Sequence, residues 1–283
     1  IHKFHIPRYF SVFFNTTKSV PLASDEVRAA LTYATDRQEI IDKVLSGNAQ
    51  PVNSPILPGM LGAKEDMERK NFDLEKANQI LDSNGWTKGD DGIRSKNNTP
   101  LVINLITTDW EELSQTAEIL KSQWEKIGAR VNVSSYSVSD IGQNYIRPRE
   151  YEALLFGQVI GADPDPYTFW HSSQKKDPGL NLAIFGDSDS DKLIDDGRLE
   201  SDPQKRTENY IEFQKKIEEE SPAVFLYSPS YIYPVSRSVQ GIDDTNLVLP
   251  SKRFCDINHW YIKTKRIWKG KAEVSFNFFH RIP

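Results

Sequence analysis

The sequence predicts an α/β protein whose parallel or mixed sheet is covered by helices. Three observations carry that reading. Between Leu101 and Val159 the apolar period switches repeatedly, in the order strand, helix, strand, helix, strand. The last of these strands, Tyr151 to Val159, is largely apolar, as strands buried on both faces are. The helical segments open and close on recognisable signals, such as Asp36 three residues before Glu39, Asp202 before Pro203, and Gly47, Gly85 and Gly128 at helix ends.

The elements follow in order. Ile1 to Asn15 reads as an aromatic-rich strand, with Phe10, Val12 and Phe14 alternating against Ser11 and Phe13, and a strand this apolar needs a sheet. Asp25 to Gly47 reads as two helices in series. Val27, Ala30, Leu31 and Ala34 form the first apolar stripe, and Ile40, Ile41, Val44 and Leu45 the second. Gln50 to Gly62, with Pro51, Pro55 and Pro58, is a loop. Asp73 caps a helix that turns Leu74, Ala77, Ile80 and Leu81 inward. A hairpin turns at Asp91-Gly92. Leu101 to Thr107 is a strand, Trp110 to Ile127 a helix, Ala129 to Tyr136 a strand and Ser139 to Tyr145 a helix. After the buried strand and a long loop from Gly161 to Asn181 come helices at Asp189 to Leu199 and Asp202 to Glu220. Ala223 to Val235 is a strand broken by Pro229, and Asn258 to Thr264 a last strand. Gly270 to Pro283 has no helical period.

Composition excludes several classes. With 283 residues, 38% hydrophobic and 27% charged, the chain is neither disordered nor membrane-spanning, and holds one large domain or two ordinary ones. A net charge of −5 argues against a duplex nucleic-acid binder. A single cysteine, Cys255, excludes an internal disulfide and a thiolate zinc cluster. No Gly-x-Gly, His-Glu-x-x-His or Gly-x-Ser-x-Gly occurs, so no catalytic residue, metal ligand or cofactor is assigned. The chain opens at Ile1 on strand-like sequence rather than a signal segment, which reads as a start within a longer protein.

One segment carries functional information. GQVIGADPDPYTFWHSSQ, Gly157 to Gln174, leaves the carboxyl end of the buried strand, where α/β proteins place ligands. Pro164 and Pro166 push their predecessors towards an extended conformation, so Asp163 and Asp165 point roughly 120° apart and do not converge on one proton or metal. Two readings stand for these carboxylates: a stiffened turn capping a short helix at Tyr167, or direct ligand contact. The aromatics Tyr167, Phe169 and Trp170 either line a concave face together with Gln158, Asp163 and Asp165, or fasten the loop to its own core. Arg147 and Arg149 flank Pro148 before the buried strand, either as exposed charge or as a partner for a ligand carboxylate.

Phe13-Phe14-Asn15-Thr16, Pro21-Leu22, the run from Val27 to Gly59, the DPDPYTFWHSSQ block and the run from Phe225 to Ile242 together resemble a known family. They are similar to the extracytoplasmic solute-binding proteins, family 5, of peptide ABC transporters, which include oligopeptide-, dipeptide- and nickel-binding members. The resemblance extends from about Tyr9 to Trp268. It implies a lobe of the type II periplasmic-binding-protein kind, with a mixed sheet flanked by helices, plus crossing strands of a second lobe. It further implies that the chain corresponds to the carboxy-terminal half of such a protein. Residues 1–16 would then be the end of the first lobe and a hinge strand, 17–233 the ligand-binding lobe, 234–264 the return to the first lobe and 265–283 a tail. Asn15 and Tyr231 would lie at the hinge, beside the loop residues named above.

The implied function is that of a substrate-binding component of an ABC importer, located outside the cytoplasm, in the periplasm or anchored as a lipoprotein. Its partners would be a small ligand such as a peptide, permease subunits and the amino-terminal half of the protein, with no nucleic acid. In the dipeptide and oligopeptide binders the ligand's amino terminus is held by an Asp three residues before the Asp-Pro or Glu-Pro step, a position read here as Ile160. That departure opens the ligand class to blocked peptides, sugars or metal chelates. Two other classes stay open on the residues alone: a hydrolase using scattered carboxylates, and an interaction module with an aromatic surface.

Overall fold

The computed structural model describes residues 1–63, 70–242 and 247–262. β1 (His2–His5) and β2 (Arg8–Phe14) are one strand interrupted by a bend at Pro7, where the Arg8 N–H returns to the Ile6 carbonyl at 2.7 Å. The chain continues through α1 (Val20–Ala23), α2 (Asp25–Tyr33), α3 (Arg37–Leu45), β3 (Ala49–Pro51) and α4 (Leu74–Ser83). A small three-stranded sheet follows, made of β4 (Thr87–Lys88), β5 (Arg94–Lys96) and β6 (Thr99–Pro100). Then come β7 (Val102–Thr108), α5 (Glu111–Glu125), β8 (Arg130–Tyr136) and α6 (Val138–Asp140), which runs on into a π-helical turn, Ile141–Ile146. The remainder is β9 (Ala153–Val159), α7 (Tyr167–Trp170), α8 (Ser188–Leu199), α9 (Pro203–Glu220), β10 (Ala223–Tyr233), β11 (Val239–Gln240) and β12 (Tyr261–Ile262).

The main sheet runs β1-β10-β2-β9-β7-β8, with β3 also on β10. β7 is parallel to both β8 and β9, whereas β2 is antiparallel to β9 and β10, so the sheet is mixed. Period-two alternation divides its side chains between two cores. Val12, Phe14, Leu155 and Val224 face a layer built from α2, α3, α4 and α5. Tyr9, Phe13, Leu154 and Phe225 face the other layer, where Trp170, Ile194, Phe213 and Ile217 project from α7, α8 and α9. The helix starts obey the expected caps: Asp36 accepts from the Glu39 N–H at 3.0 Å, Asp73 from Lys76 at 2.8 Å and Asp202 from Gln204 at 2.9 Å.

The expected boundary at residue 16 is corrected. Arg8–Phe14 is not a segment outside the lobe but an interior strand of its sheet, paired along its whole length with β9. Only β1 leaves the sheet, pairing as a ribbon with the last four residues of β10, Ser230–Tyr233. Pro229 does not break β10, because β10 runs through it and changes partners there from β3 to β1. Around the ribbon, Phe4, Ile6 and Leu247 form a small separate core with Tyr231, Tyr233 and Ile242. The tail at 265–283 and the end of the last expected strand lie outside the described residues.

Candidate ligand-binding site

β7, β8 and β9 point their carboxyl ends the same way, and β2, antiparallel to β9, begins at that end with Arg8 opposite Val159. The bend at Pro7 therefore sits beside the exit of the Gly161–Asn181 loop. The Ile160 N–H closes the junction on the Pro7 carbonyl at 2.8 Å. A cavity of about 210 Å³ opens here. His5, Ile6 and Pro7 supply the bend side and Gln50 comes from β3. Leu57 to Leu61 form a wall, Ala162 closes the loop side, and Leu247 with Val248 covers the outer edge. Among the described residues, none of those lining it is an Asp, Glu, Lys or Arg. His5 Nδ1 is buried there without a hydrogen-bond partner.

The Asp-Pro-Asp-Pro loop is braced rather than open. Asp163 pairs with Arg206 of α9 at 2.5 Å, which pushes the guanidinium pKa up. Arg206 also donates to the Gly197 carbonyl at 3.0 Å and to the Tyr210 hydroxyl at 2.9 Å. Asp165 takes Arg198 of α8 at 2.9 Å with one oxygen and the Tyr167 N–H at 3.0 Å with the other, capping α7. The two carboxylates thus diverge to separate arginines, as the polyproline geometry predicts. Tyr167 is half-buried, its ring stacked on His171 at 4.4 Å with the Arg198 guanidinium 4.1 Å from the ring centre. Trp170 is 1% exposed and packs between Phe13 and Phe225. The inward reading of this ring is the observed one.

The remaining expected site residues are dispersed. Asn15 is corrected most sharply. Because β2 runs away from the bend, Asn15 lies at the opposite end of the sheet, buried, donating to the Arg149 carbonyl at 3.0 Å and accepting from the Thr17 hydroxyl at 2.6 Å. Arg147 is exposed, two residues from Arg149 and at that same far end, and does not line the cavity. Arg149 is itself structural: its guanidinium donates to the carbonyls of Ile146, Lys175 and Gly179. Gln158 is buried and accepts from the Tyr9 hydroxyl, a phenol whose pKa burial pushes up while the Trp170 side chain opposes the shift. Tyr231 belongs to the ribbon, 6.3 Å from the Phe4 ring and opposite Phe4 in register. Ile160 is buried in the second core, and Ala162, three residues before the second Asp-Pro step, is the loop residue on the cavity wall.

Residues 2–180 match the family description "Bacterial extracellular solute-binding proteins, family 5 Middle". The chain belongs to this family. It is 29% identical over 243 residues to the oligopeptide-binding protein AppA of Bacillus subtilis, covering 84% of this chain and 44% of that protein. It is 31% identical over 219 residues to the nickel-binding periplasmic protein of Escherichia coli, covering 75% of this chain and 40% of that one. The solved structure of Bacillus subtilis AppA in complex with a nonapeptide superposes with a TM-score of 0.78 at 26% identity, over 93% of this chain and 52% of that one. The family 5 lobe is thus of the type II periplasmic-binding-protein kind, and the chain spans about half the length of the relatives it matches. The family is one of binding proteins rather than enzymes.

Sequence reasoning missed His5, Gln50, Met60 and the 247–248 edge as cavity residues. Each comes from a different segment and is unremarkable alone. Only the bend at Pro7 and the proline-rich 51–62 loop mark the place.

Proposed function

We propose that this chain forms one lobe of the substrate-binding component of an ABC importer, and that the component captures a peptide or similar small solute outside the cytoplasm and delivers it to permease subunits. The observation that carries the reading is the cavity at the Pro7 bend. It lies at the carboxyl end of the parallel strands, where α/β sheets bind ligands, and where the β1–β10 ribbon departs from the sheet. In this reading the ribbon, with the small core around Phe4 and Leu247, leads towards a further lobe, and the ligand is enclosed between the two. Asp163 and Tyr231 flank the entrance. The Asp-Pro-Asp-Pro segment then positions Ala162 by anchoring the chain immediately after it, not by touching ligand through both carboxylates.

The rival classes gain nothing from the geometry. A carboxylate pair for hydrolysis needs convergence, and Asp163 and Asp165 are each held by their own arginine. An aromatic docking face needs exposed rings, and Trp170 is in the core.

Ala162→Trp tests the reading by filling the cavity. A ligand at a hundredfold excess over its Kd stabilises by about 2.7 kcal/mol, or roughly 5–10 °C in Tm for a chain of this order. Screened against defined peptide mixtures, the wild-type chain is expected to show such a shift. Ala162→Trp should lose it while its unliganded Tm stays near that of the wild type. Equal ligand-induced shifts in both proteins would remove the cavity from the binding site.

A further inference from the structure

The chemistry of the cavity wall goes further than its position, and what it implies rests on the ligand-site reading above. The wall is aliphatic and prolyl: Ile6, Pro7, Leu57, Pro58, Leu61 and Leu247. Met60 adds an unbranched, polarisable side chain that adapts to an irregular apolar partner. The polar contributions are uncharged, from Gln50 and from His5, whose Nδ1 lacks a partner. The acids nearest along the loop are already neutralised, Asp163 by Arg206 and Asp165 by Arg198. An ammonium or carboxylate entering this space would lose its hydration and find no counter-charge among the described residues, whereas a hydrocarbon group would be stabilised by leaving water.

We propose that the cavity accepts an uncharged, apolar group of the ligand and rejects a free amino terminus or a charged side chain. Its position at Ala162 is what makes the distinction matter. A side chain on the wall at this point decides whether the site presents a carboxylate or a methyl group, and here it presents a methyl. The ligand class is a solute with an aliphatic or aromatic side chain and a blocked or absent ammonium. The unpartnered His5 Nδ1 supplies one polar contact, suited to an amide of the capped end.

The chain contains two methionines, Met60 and Met67, so labelling methionine methyl groups with 13C gives a two-signal spectrum in which Met60→Leu identifies the cavity reporter. Three tripeptides serve as probes: N-acetyl-Ala-Leu-Ala-amide, its counterpart with a free amino terminus, and N-acetyl-Ala-Lys-Ala-amide. The capped Leu probe is expected to move the Met60 signal with a Kd at least tenfold below that of either charged probe. Ala162→Asp should weaken the capped probe and narrow or reverse its advantage over the free-amine probe. A charged probe that moves the Met60 signal as tightly as the capped one overturns the proposal while leaving the ligand-site reading intact. So does a capped probe that binds without moving it, because that binding is elsewhere. No binding by any probe, together with no ligand-induced shift in the thermal experiment, overturns both.

Discussion

Gly197 sits inside α8 with the Tyr210 ring of α9 against it, and replacing it by alanine sets two effects of opposite sign against each other. Helix propensity favours the change, by about 1 kcal/mol for Gly→Ala in a helix interior. Packing opposes it. A Cβ at Gly197 would meet Tyr210 Cε1 well inside normal contact, with Cδ1 at 2.9 Å. The ring has no room to retreat, because the same residue is pressed from another side by Gly62, where a Cβ would lie 2.8 Å from Tyr210 Cβ. Its hydroxyl is also held by Arg206 at 2.9 Å. Overpacking of this kind costs about 1–3 kcal/mol, occasionally more. Packing is therefore expected to win, with a net loss of about 1–2 kcal/mol and a Tm lower by roughly 2–8 °C. The damage should propagate, since Arg206 donates to the Gly197 carbonyl and to Asp163 at once. Urea unfolding gives the stability change, and amide hydrogen exchange at 163–170 reports the loop. Gly142, whose Cβ would meet nothing within 4 Å, is the control, and Gly142→Ala should be neutral or stabilising. A Gly197→Ala protein as stable as the wild type would show that the α8–α9 spacing is not set by this contact.

Two further predictions concern buried polar groups and acid stability. Arg94 is buried and joins the Ile127 carbonyl (2.8 Å), Asp82 (2.5 Å), Asn78 (2.9 Å) and the Trp86 carbonyl, so Arg94→Met strands two carbonyls and should cost about 2–4 kcal/mol in denaturant unfolding. A loss below about half a kcal/mol would mean that water replaces the guanidinium. Asp187 caps α8; burial pushes its pKa up, but hydrogen bonds from the Ser190 N–H and hydroxyl and from the Asp189 N–H outweigh it, leaving a net depression. A depressed native pKa contributes stability that is present above the unfolded value of about 4 and is lost as pH falls through the native one. The Tm gap between wild type and Asp187→Asn should therefore narrow between about pH 6 and pH 3, and a gap constant with pH would refute the linkage.

Much of the fold was legible because local signals agreed with one another. Asp36, Asp73 and Asp202 cap the helices they were read to cap, and the Asp91-Gly92 turn lies between β4 and β5. What failed was placement. The alternation of Phe10, Val12 and Phe14 says that residues 8–14 need a sheet, but not which one, since their partners lie about 140 and 210 residues further on. Asn15 was carried to the wrong end of the molecule by the same ambiguity, because strand direction is not written in a period of two. Pro21 hid the short helix α1, where it occupies one of the first helical positions. In the Asp-Pro-Asp-Pro loop the local half was readable, with Asp165 capping α7. The long-range half was not: nothing in the helix patterns of α8 and α9 distinguishes Arg198 and Arg206 from solvent-facing charge. The cavity was invisible for a related reason, being assembled from five separate segments whose residues are ordinary where they stand.

The position of β2 also governs the order in which the molecule can be built. Both neighbours of this early strand are late, β9 at 153–159 and β10 at 223–233. A ribosome making the chain at about 5–20 residues per second has the helical layer of α2, α3 and α4 available well before β2 has anything to pair with. Until β10 emerges, Tyr9, Phe13 and the open hydrogen-bonding edge of β2 wait uncovered, in a stretch with several aromatics and no acidic residue. Closure is then a long-range, entropically slow event that locks the interior strand last. Truncation anywhere before residue 223 leaves that aromatic edge open, so the nascent chain has a long interval in which a protective companion or a delayed collapse matters more than final stability.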